Sequence, residues 1–519
     1  MRFGKLGLLA SAAALGSGLV YLHSRGQRRR RRTVGREQLS KERCDQLHAA
    51  KVTRIAAQLA RHDGSEPVSL RKQAPPHQVP KRDDLRRRDA KIDISDLTQI
   101  IAIDPVARTC VAESGAMFED VVAATLRYGL VPIVVPELST ITLGGAVTGC
   151  SIESMSFEHG GFHDTCLEYE VITSTGATLV CTPANEHALV FQMIHGSFGT
   201  LGILARLTFR LVPAKPFVQV DYERYATLAA YQQAIERHAE ARDLDFMDGI
   251  IHGPTCYVLS VGRFVDEAPY THAYDWTRVY YRSTLTRDRD YLRTPDYLFR
   301  YDRGVTNVTP SSFLGRLLLG KLLDSGTTLR LADKLHYLLA RERPTVTIDL
   351  FLPMSRVPAF LAWWQAEFGF FPLWCVPYRR VHDYEWMNDT FYAGMADHMF
   401  LDLAVYGMAQ RDDRNVNRMI EDKLRELGGM KTLISHNFYT RDEFWAVFNR
   451  RNYEAVKAVT DPKNLFRDLY DKTCRAAMGR GGANEAPRPS NIHRPSRSPA
   501  ALDQVPVERT PTGATARYK

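Results

Sequence analysis

Apolar residues recur at helical spacing near the start of the chain, where Leu47, Val52, Ile55 and Leu59 predict a helix over 44–62 that stops near Gly64. A short strand is expected over 67–70. The stretch 71–90, rich in Pro, Arg, Lys and Asp, reads as a loop. Ile92, Ile94 and Leu97 then resume a buried element, and 108–113 has the pattern of a strand. Residues 117–128 place Phe118, Val121, Val122 and Leu126 on one helical face and end at Gly129. Two short strands are predicted around Thr175-Gly176, and Ala205, Leu207, Phe209 and Leu211 alternate with Arg206, Thr208 and Arg210 as a half-buried strand should. Beyond Pro213-Ala-Lys-Pro216, strand-like runs at 345–352, 373–378 and 399–406 are interspersed with helical ones at 228–241, 357–368 and 415–427. The whole reads as an α/β module followed by an α+β module.

Length and composition add limits. At 519 residues, with 45% hydrophobic and 24% charged positions, the chain can bury more than one core. The net charge of +9 is concentrated in runs such as Arg28 to Arg32 and Arg86 to Arg88, which fit a basic surface and not a nucleic-acid site. The cysteines show neither CxxC pairs nor zinc-like Cys/His spacing, so no disulfide framework or metal site is expected. The stretch from Leu6 to Leu22 is uncharged and near the length of a membrane-spanning helix. It runs into Arg25 and Arg28 to Arg32, heavier in charge than the preceding Arg2 and Lys5, which favours an uncleaved anchor with the body in the cytosol over the alternative of a secretory signal or transit peptide. Past about Ala477 the composition is Gly, Pro, Arg, Ser and Ala without periodicity, as in a disordered tail.

The candidate chemistry lies in Thr142-Leu143-Gly144-Gly145-Ala146-Val147-Thr148-Gly149-Cys150-Ser151-Ile152-Glu153-Ser154, followed by His159-Gly160-Gly161. Glycine lets backbone N–H groups approach an anion closely, and the interleaved hydroxyls add donors, so this glycine-rich strand-loop suits a diphosphate. Gly196-Ser-Phe-Gly199-Thr-Leu-Gly202-Ile203 offers a second such approach.

These runs do not stand alone. Ile92-Asp-Ile-Ser-Asp-Leu97, Ile103-Asp104, Glu113-Ser-Gly115, the helix ending Tyr128-Gly-Leu-Val131, Leu143-Gly-Gly and Gly199-Thr-Leu-Gly-Ile follow one another in the order of the PCMH-type FAD domain. Tyr453-Glu-Ala-Val-Lys457 and Asp461-Pro-Lys-Asn464-Leu-Phe466 are similar to the closing helix and turn of that fold. Within the vanillyl-alcohol-oxidase superfamily the chain most closely resembles the Δ24-sterol reductase (Diminuto or seladin) type. That similarity rests on the flavin run Thr142 to Ser154 and on Val68-Ser-Leu-Arg71, Phe246-Met-Asp-Gly249, Phe371-Pro-Leu-Trp374-Cys-Val-Pro377, Leu401 to Gly407 and Arg441 to Trp445. Residues 297–304 and 313–323 match only loosely.

The resemblance implies an α+β protein: a membrane anchor and basic flank at 1–33, a two-subdomain FAD-binding domain at 45–215, a substrate domain at 216–440, returning helices at 441–476 and a tail at 477–519. It implies FAD held by Thr142 to Ser154, Gly199, Gly202 and Ile203, with Arg71 and His159 as further contacts and His163 nearby. Glu153 is placed at a ribose or adenine hydroxyl, or as the cap of the following turn. NADPH is the implied reductant and a sterol or other hydrophobic alkene the implied substrate, in the endoplasmic reticulum if the source is eukaryotic. Tyr406, Tyr378 and His436, near predicted strand ends, are the candidate proton donors. Trp363, Trp364, Trp374 and Phe368 to Phe371 suit the wall of a lipid cavity, and 313–323 a second contact with the bilayer. The rival readings are an alcohol oxidase or dehydrogenase of the same fold and a non-catalytic, membrane-tethered flavoprotein. The histidine-bearing loop that carries covalent flavin in many superfamily members is replaced by Val68-Ser-Leu-Arg-Lys-Gln73, so FAD is expected to be non-covalent. Acid precipitation should therefore release all yellow colour into the supernatant; colour retained on the polypeptide would contradict this.

Overall fold

The computed structural model describes residues 40–302 and 345–475, apart from 76, 78, 80–83, 275–277, 394 and 411. The expected anchor at 1–33, the 313–323 segment and the tail at 477–519 all lie outside the described residues. Among the described residues no helix is long and apolar enough to cross a membrane.

The first described element is the helix Lys41–Arg61, capped by Ser40, whose side chain accepts the Arg43 N–H. A parallel pair follows, β1 (Val68–Arg71) with β2 (Ala90–Asp93). Helix and pair share a small core in which Ile55, Leu59, Val68, Ile92 and Leu97 meet Ile172, Ile203 and, from the far end of the chain, Leu465 and Phe466. The C-terminal turn is stitched in by backbone: the Val68 N–H donates to Leu465 O at 2.8 Å and the Ser174 N–H to Thr460 O at 2.8 Å. Lys457 completes the seam, donating to Thr200 O at 3.2 Å, Phe466 O at 2.8 Å and Asp461 at 2.8 Å.

A six-stranded sheet comes next, ordered β3 (Ile100–Asp104), β4 (Thr109–Glu113), β8 (Ile203–Pro213), β6 (Cys166–Ile172), β7 (Thr178–Cys181), with β5 (Leu130–Pro132) also on β8. The helix Phe118–Thr125 ends as its periodicity requires: a turn of 3₁₀ helix leads to Gly129 at φ 67°. The chain passes from β8 to β9 (Phe217–Tyr225) across Ala214 to Pro216 and enters an eight-stranded sheet. Its order is β12 (Arg289–Arg293), β9, β11 (Cys256–Val265), β10 (Phe246–Gly253), β14 (Leu373–Arg379), β15 (Met399–Met408), β13 (Val346–Pro353), β16 (Met430–Lys431).

Strand alternation divides the two faces of this sheet. Leu401, Leu403 and Val405 of β15, with Leu373 and Cys375 of β14, pack under the helices Leu228–Ala241, Val357–Glu367 and Val416–Glu426. Phe400, Ala404 and Tyr406, with Trp374, Val376, Tyr378 and Phe351, face the other way and share one core with the six-stranded sheet. The expected aromatic wall is corrected here: Trp363, Trp364, Phe368, Phe370 and Phe371 belong to the helix-covered face, because the helix Val357–Glu367 lies on that side.

One buried charge cluster ties the first helix to the six-stranded sheet. His48 bonds Glu113 at 3.0 Å and Glu170 at 2.9 Å, and Lys51 donates to Glu113 at 2.8 Å. Burial opposes the charged imidazole, but the two carboxylates outweigh it and raise the His48 pKa. A raised folded-state pKa contributes stability that is present below the ordinary histidine value of about 6.5 and is lost as pH rises through the higher folded value. The melting temperature of the wild type should exceed that of His48→Gln by a margin that shrinks as pH rises above about 6.5. A margin independent of pH would show that His48 is not charged in the fold.

Candidate functional site

The glycine run is not the strand-loop its composition suggests. Residues Leu143–Thr148 form a helix, with Thr142 as its cap: Thr142 Oγ1 accepts the Gly145 N–H at 3.2 Å, and Thr148 Oγ1 donates to Gly144 O at 2.8 Å. Leu143, Ala146 and Val147 turn into the core, which anchors the helix by burial. Gly144 is required by contact. Its N–H donates to Ser114 O at 2.7 Å, and a Cβ there would sit 2.8 Å from Ser114 Cβ. The helix ends at Gly149, and Cys150 follows at φ 54° in the left-handed region. The second glycine run docks on this end, where the Phe198 N–H donates to Thr148 O at 3.1 Å.

One cavity lies along the helix and another opens past its C-terminal end. The first, of about 490 Å³, is lined by Thr142, Gly144, Thr148, Gly199 and Gly202, with Gly115, Ser95, Ser114, Thr98 and Lys72. Backbone, hydroxyls and one ammonium make this lining suited to a nucleotide diphosphate. Lys472 stands behind it, donating to Phe198 O at 2.6 Å, with its pKa brought down to about 7 by burial and by the neighbouring Arg86 and Lys72. An anion in the cavity relieves that crowding of positive charge. The other cavity, of about 710 Å³, begins at Gly149, Cys150 and Ile152 and extends to Phe351, Tyr378, Phe400, Tyr384, Trp386, Met387, Met395 and Phe448. A flat ring system held at the Cys150 end and an apolar ligand beyond it would both find apolar walls here.

The remaining sequence candidates fall elsewhere. Among the described residues, the lining of neither cavity includes Arg71, Ser151, Glu153, Ser154, His159, Ile203, Tyr406 or His436. Arg71 is exposed and ion-paired with Asp93, while the adjacent Lys72 reaches the cavity. Glu153 is buried and faces Arg300 at 2.9 Å, which also meets Asp248 at 3.1 Å, so its carboxylate serves a buried ion cluster and takes the Ser154 N–H. The Ser154 carbonyl accepts the Met247 N–H at 2.7 Å, joining the glycine segment to β10. Ile203 is core. His159 ends the short helix Ser156–His159, which packs on β14, and burial lowers its pKa. Tyr406 donates to Asp349 at 2.5 Å, and the His436 carbonyl accepts from Lys431 at 2.7 Å. Of the three candidate proton donors Tyr378 alone lines a cavity, and His163 lines the same one.

Sequence reasoning missed several residues. Phe351, Phe400, Trp386 and Phe448 wall the larger cavity, and the period-two alternation of β13 and β15 was the signal for the first two. Tyr384 and Trp386 lie in a connection without periodicity. Lys431 lines the cavity as well, its ammonium sealed from solvent on Glu421 at 2.5 Å.

Comparison with known proteins matches this layout. Residues 77–182 match the FAD binding domain family. The chain is 24% identical over 410 residues to the human Delta(24)-sterol reductase, covering 74% of this chain and 77% of that protein. The resemblance to Delta(24)-sterol reductases extends through both sheets. The Arabidopsis thaliana Delta(24)-sterol reductase is 24% identical over 436 residues, covering 75% of this chain and 77% of the relative. Cytokinin dehydrogenase 7 of rice is 31% identical over 137 residues, 26% of each chain. The FAD binding domain match begins at residue 77 and takes in the helix Leu143–Thr148, which one cavity flanks and past whose C-terminal end the other begins.

Gly144→Ala should lower the ratio of flavin to protein absorbance in purified material by roughly ten-fold, since the added methyl displaces the helix from Ser114. Gly253→Ala, whose Cβ would meet nothing within 4 Å, is expected to keep its flavin. Equal flavin content in the two variants would refute the role given to the Gly144 contact.

Proposed function

We propose that the chain is an FAD-dependent reductase that saturates a carbon-carbon double bond in a sterol-like lipid, with NADPH as the source of electrons. The observation that carries this reading is the apolar cavity of about 710 Å³ that begins at Gly149 and Cys150, joined to the resemblance to Delta(24)-sterol reductases. Bound FAD supplies the hydride. Thr142, Gly144, Thr148, Gly199, Gly202 and Lys72 would hold its diphosphate and nucleoside end, with Lys472 behind them, and Gly149, Cys150 and Ile152 its ring end.

The chain's own contribution is orientation and dryness. Met387, Met395, Phe400 and Phe448 offer a fused-ring lipid apolar contact and exclude water from the reacting carbons. The second carbon of the double bond needs a proton from a side chain in that wall. The domain limits given above belong to the same proposal, as does the anchor: Leu6 to Leu22 holds the enzyme on the membrane that carries its substrate, and Arg28 to Arg32 marks the cytosolic side.

The test is anaerobic. Protein lacking residues 1–33 is given NADPH, then a sterol with a 24(25) double bond, and the flavin spectrum is followed. Bleaching by NADPH and recovery on adding the sterol are expected. Bound flavin that NADPH does not bleach, together with oxygen uptake on an alcohol, would replace this reading with an alcohol oxidase.

A further inference from the structure

The wall of the larger cavity contains a chain of ionisable groups that leads to solvent. Tyr378 and Tyr384 both line the cavity, and their phenol oxygens are in direct hydrogen-bond contact. Tyr384 donates to Asp164 Oδ2 at 3.0 Å, and Tyr378 lies 3.5 Å from the same oxygen. The other oxygen of that carboxylate, Asp164 Oδ1, bonds His382 Nε2 at 3.1 Å. The Asp164 side chain is 1% exposed, whereas that of His382 is 39% exposed. One end of the chain therefore lies in an apolar chamber and the other in water.

We propose that Tyr378 and Tyr384 deliver the proton of the double-bond reduction and that Asp164 and His382 replace it from solvent. The inference rests on the reaction proposed above and deepens it. An alkene bound among Phe, Met and Trp side chains has no bulk water to take a proton from, so the proton must come through side chains. In the step, a phenol O–H bond breaks and a C–H bond forms at one alkene carbon, while the hydride from reduced FAD forms the C–H bond at the other. The alkene is reduced and the flavin oxidised. The His382 imidazolium gives its proton to the Asp164 carboxylate, which hands it on to the phenolate, and water reprotonates His382.

The geometry favours this pair over the other groups nearby. Lys431 also lines the cavity, but its ion-pair partner Glu421 is as fully buried as it is, so the pair does not reach solvent as His382 does. Tyr406 is committed to Asp349 and lines neither cavity among the described residues. His163 lies beside the relay with Nε2 3.4 Å from Asp164 Oδ2, but its ring nitrogens have no hydrogen-bond partner among the described residues, and burial lowers its pKa. The groups that set the charge of His382 are Asp164 and Asp383. Those around Asp164 are His163, His195 and His382, with the Gly161 N–H at 2.7 Å and Arg210 on the Asp164 carbonyl at 3.0 Å. Burial disfavours the charged form of His382, yet its bond to Asp164 raises the pKa overall, as a proton source working near neutrality requires.

The experiment isolates the oxidative half-reaction. Enzyme is titrated anaerobically to the reduced state with dithionite and mixed in stopped flow with a sterol carrying a 24(25) double bond, in H₂O and in D₂O. Tyr378→Phe/Tyr384→Phe is expected to retain FAD and to reoxidise at least about 100-fold more slowly than wild type. In steady-state turnover with NADPH and the same sterol, His382→Gln, an exposed change that leaves the cavity wall intact, should lose rate steeply as pH rises and regain it with added imidazole. Asp164 also holds the Gly161 N–H, so the tyrosine and histidine variants carry the decision. A doubly substituted enzyme that reoxidises at the wild-type rate, or a His382→Gln profile identical to wild type, would overturn the relay alone. A wild-type enzyme whose reduced flavin the alkene fails to reoxidise would overturn the proposed reaction as well.

Discussion

The contact between Gly144 and Ser114 is the constraint on which the site is built. The Gly144 N–H reaches Ser114 O at 2.7 Å and the Leu143 N–H reaches Ala116 O at 3.0 Å, which presses the short helix against the end of β4. No side chain larger than hydrogen fits at that distance. With the helix seated, Thr142 and Thr148 open onto one cavity and Gly149 and Cys150 onto the other. A displacement of the helix would change both at once.

The second sheet completes the site by its alternation. Phe351, Tyr378 and Phe400 point toward the FAD-binding part because their neighbours Leu350, Pro377 and Leu401 point away from it. Trp363 and Trp364 lie on the far side, carried there by the helix Val357–Glu367 that covers the opposite face. Large aromatic content therefore marked a core in one place and a chamber wall in another, and composition does not separate the two. Charge is distributed on the same principle. Glu153 and Asp248 pair with Arg300 in the interior, whereas Lys72 and Lys472 crowd positive charge beside the cavity suited to an anion.

Much of the fold was legible along the chain. The first helix, the helix that stops at Gly129, the strand pair around Gly176, β8 and the strands β13, β14 and β15 all coincide with the periodicities that mark them. The strands β9 to β12 were not recognised as a group. β10 carries Gly249, which belongs to no apolar alternation and sits there because a Cβ would strike the Tyr231 hydroxyl. The glycine run was identified as a binding element, but its conformation was misread: a Thr cap and three buried apolar side chains make it a helix.

Local pattern determined what depends on neighbours in sequence: element type, the glycine approach and the apolar anchors that hold it. Tertiary structure decided which distant groups share a hydrogen bond. Asp164 and His382, separated by 218 positions, meet through one carboxylate, and Tyr384 reaches the same group from a segment without periodicity. Arg71 and Lys72 are adjacent in sequence and equal in charge, yet the strand directs one to Asp93 and the following turn carries the other to the cavity. Spacing along a chain encodes period and chemistry; it does not encode which faces two sheets turn toward each other, and that packing is what brings the proton-bearing groups to the wall of the chamber.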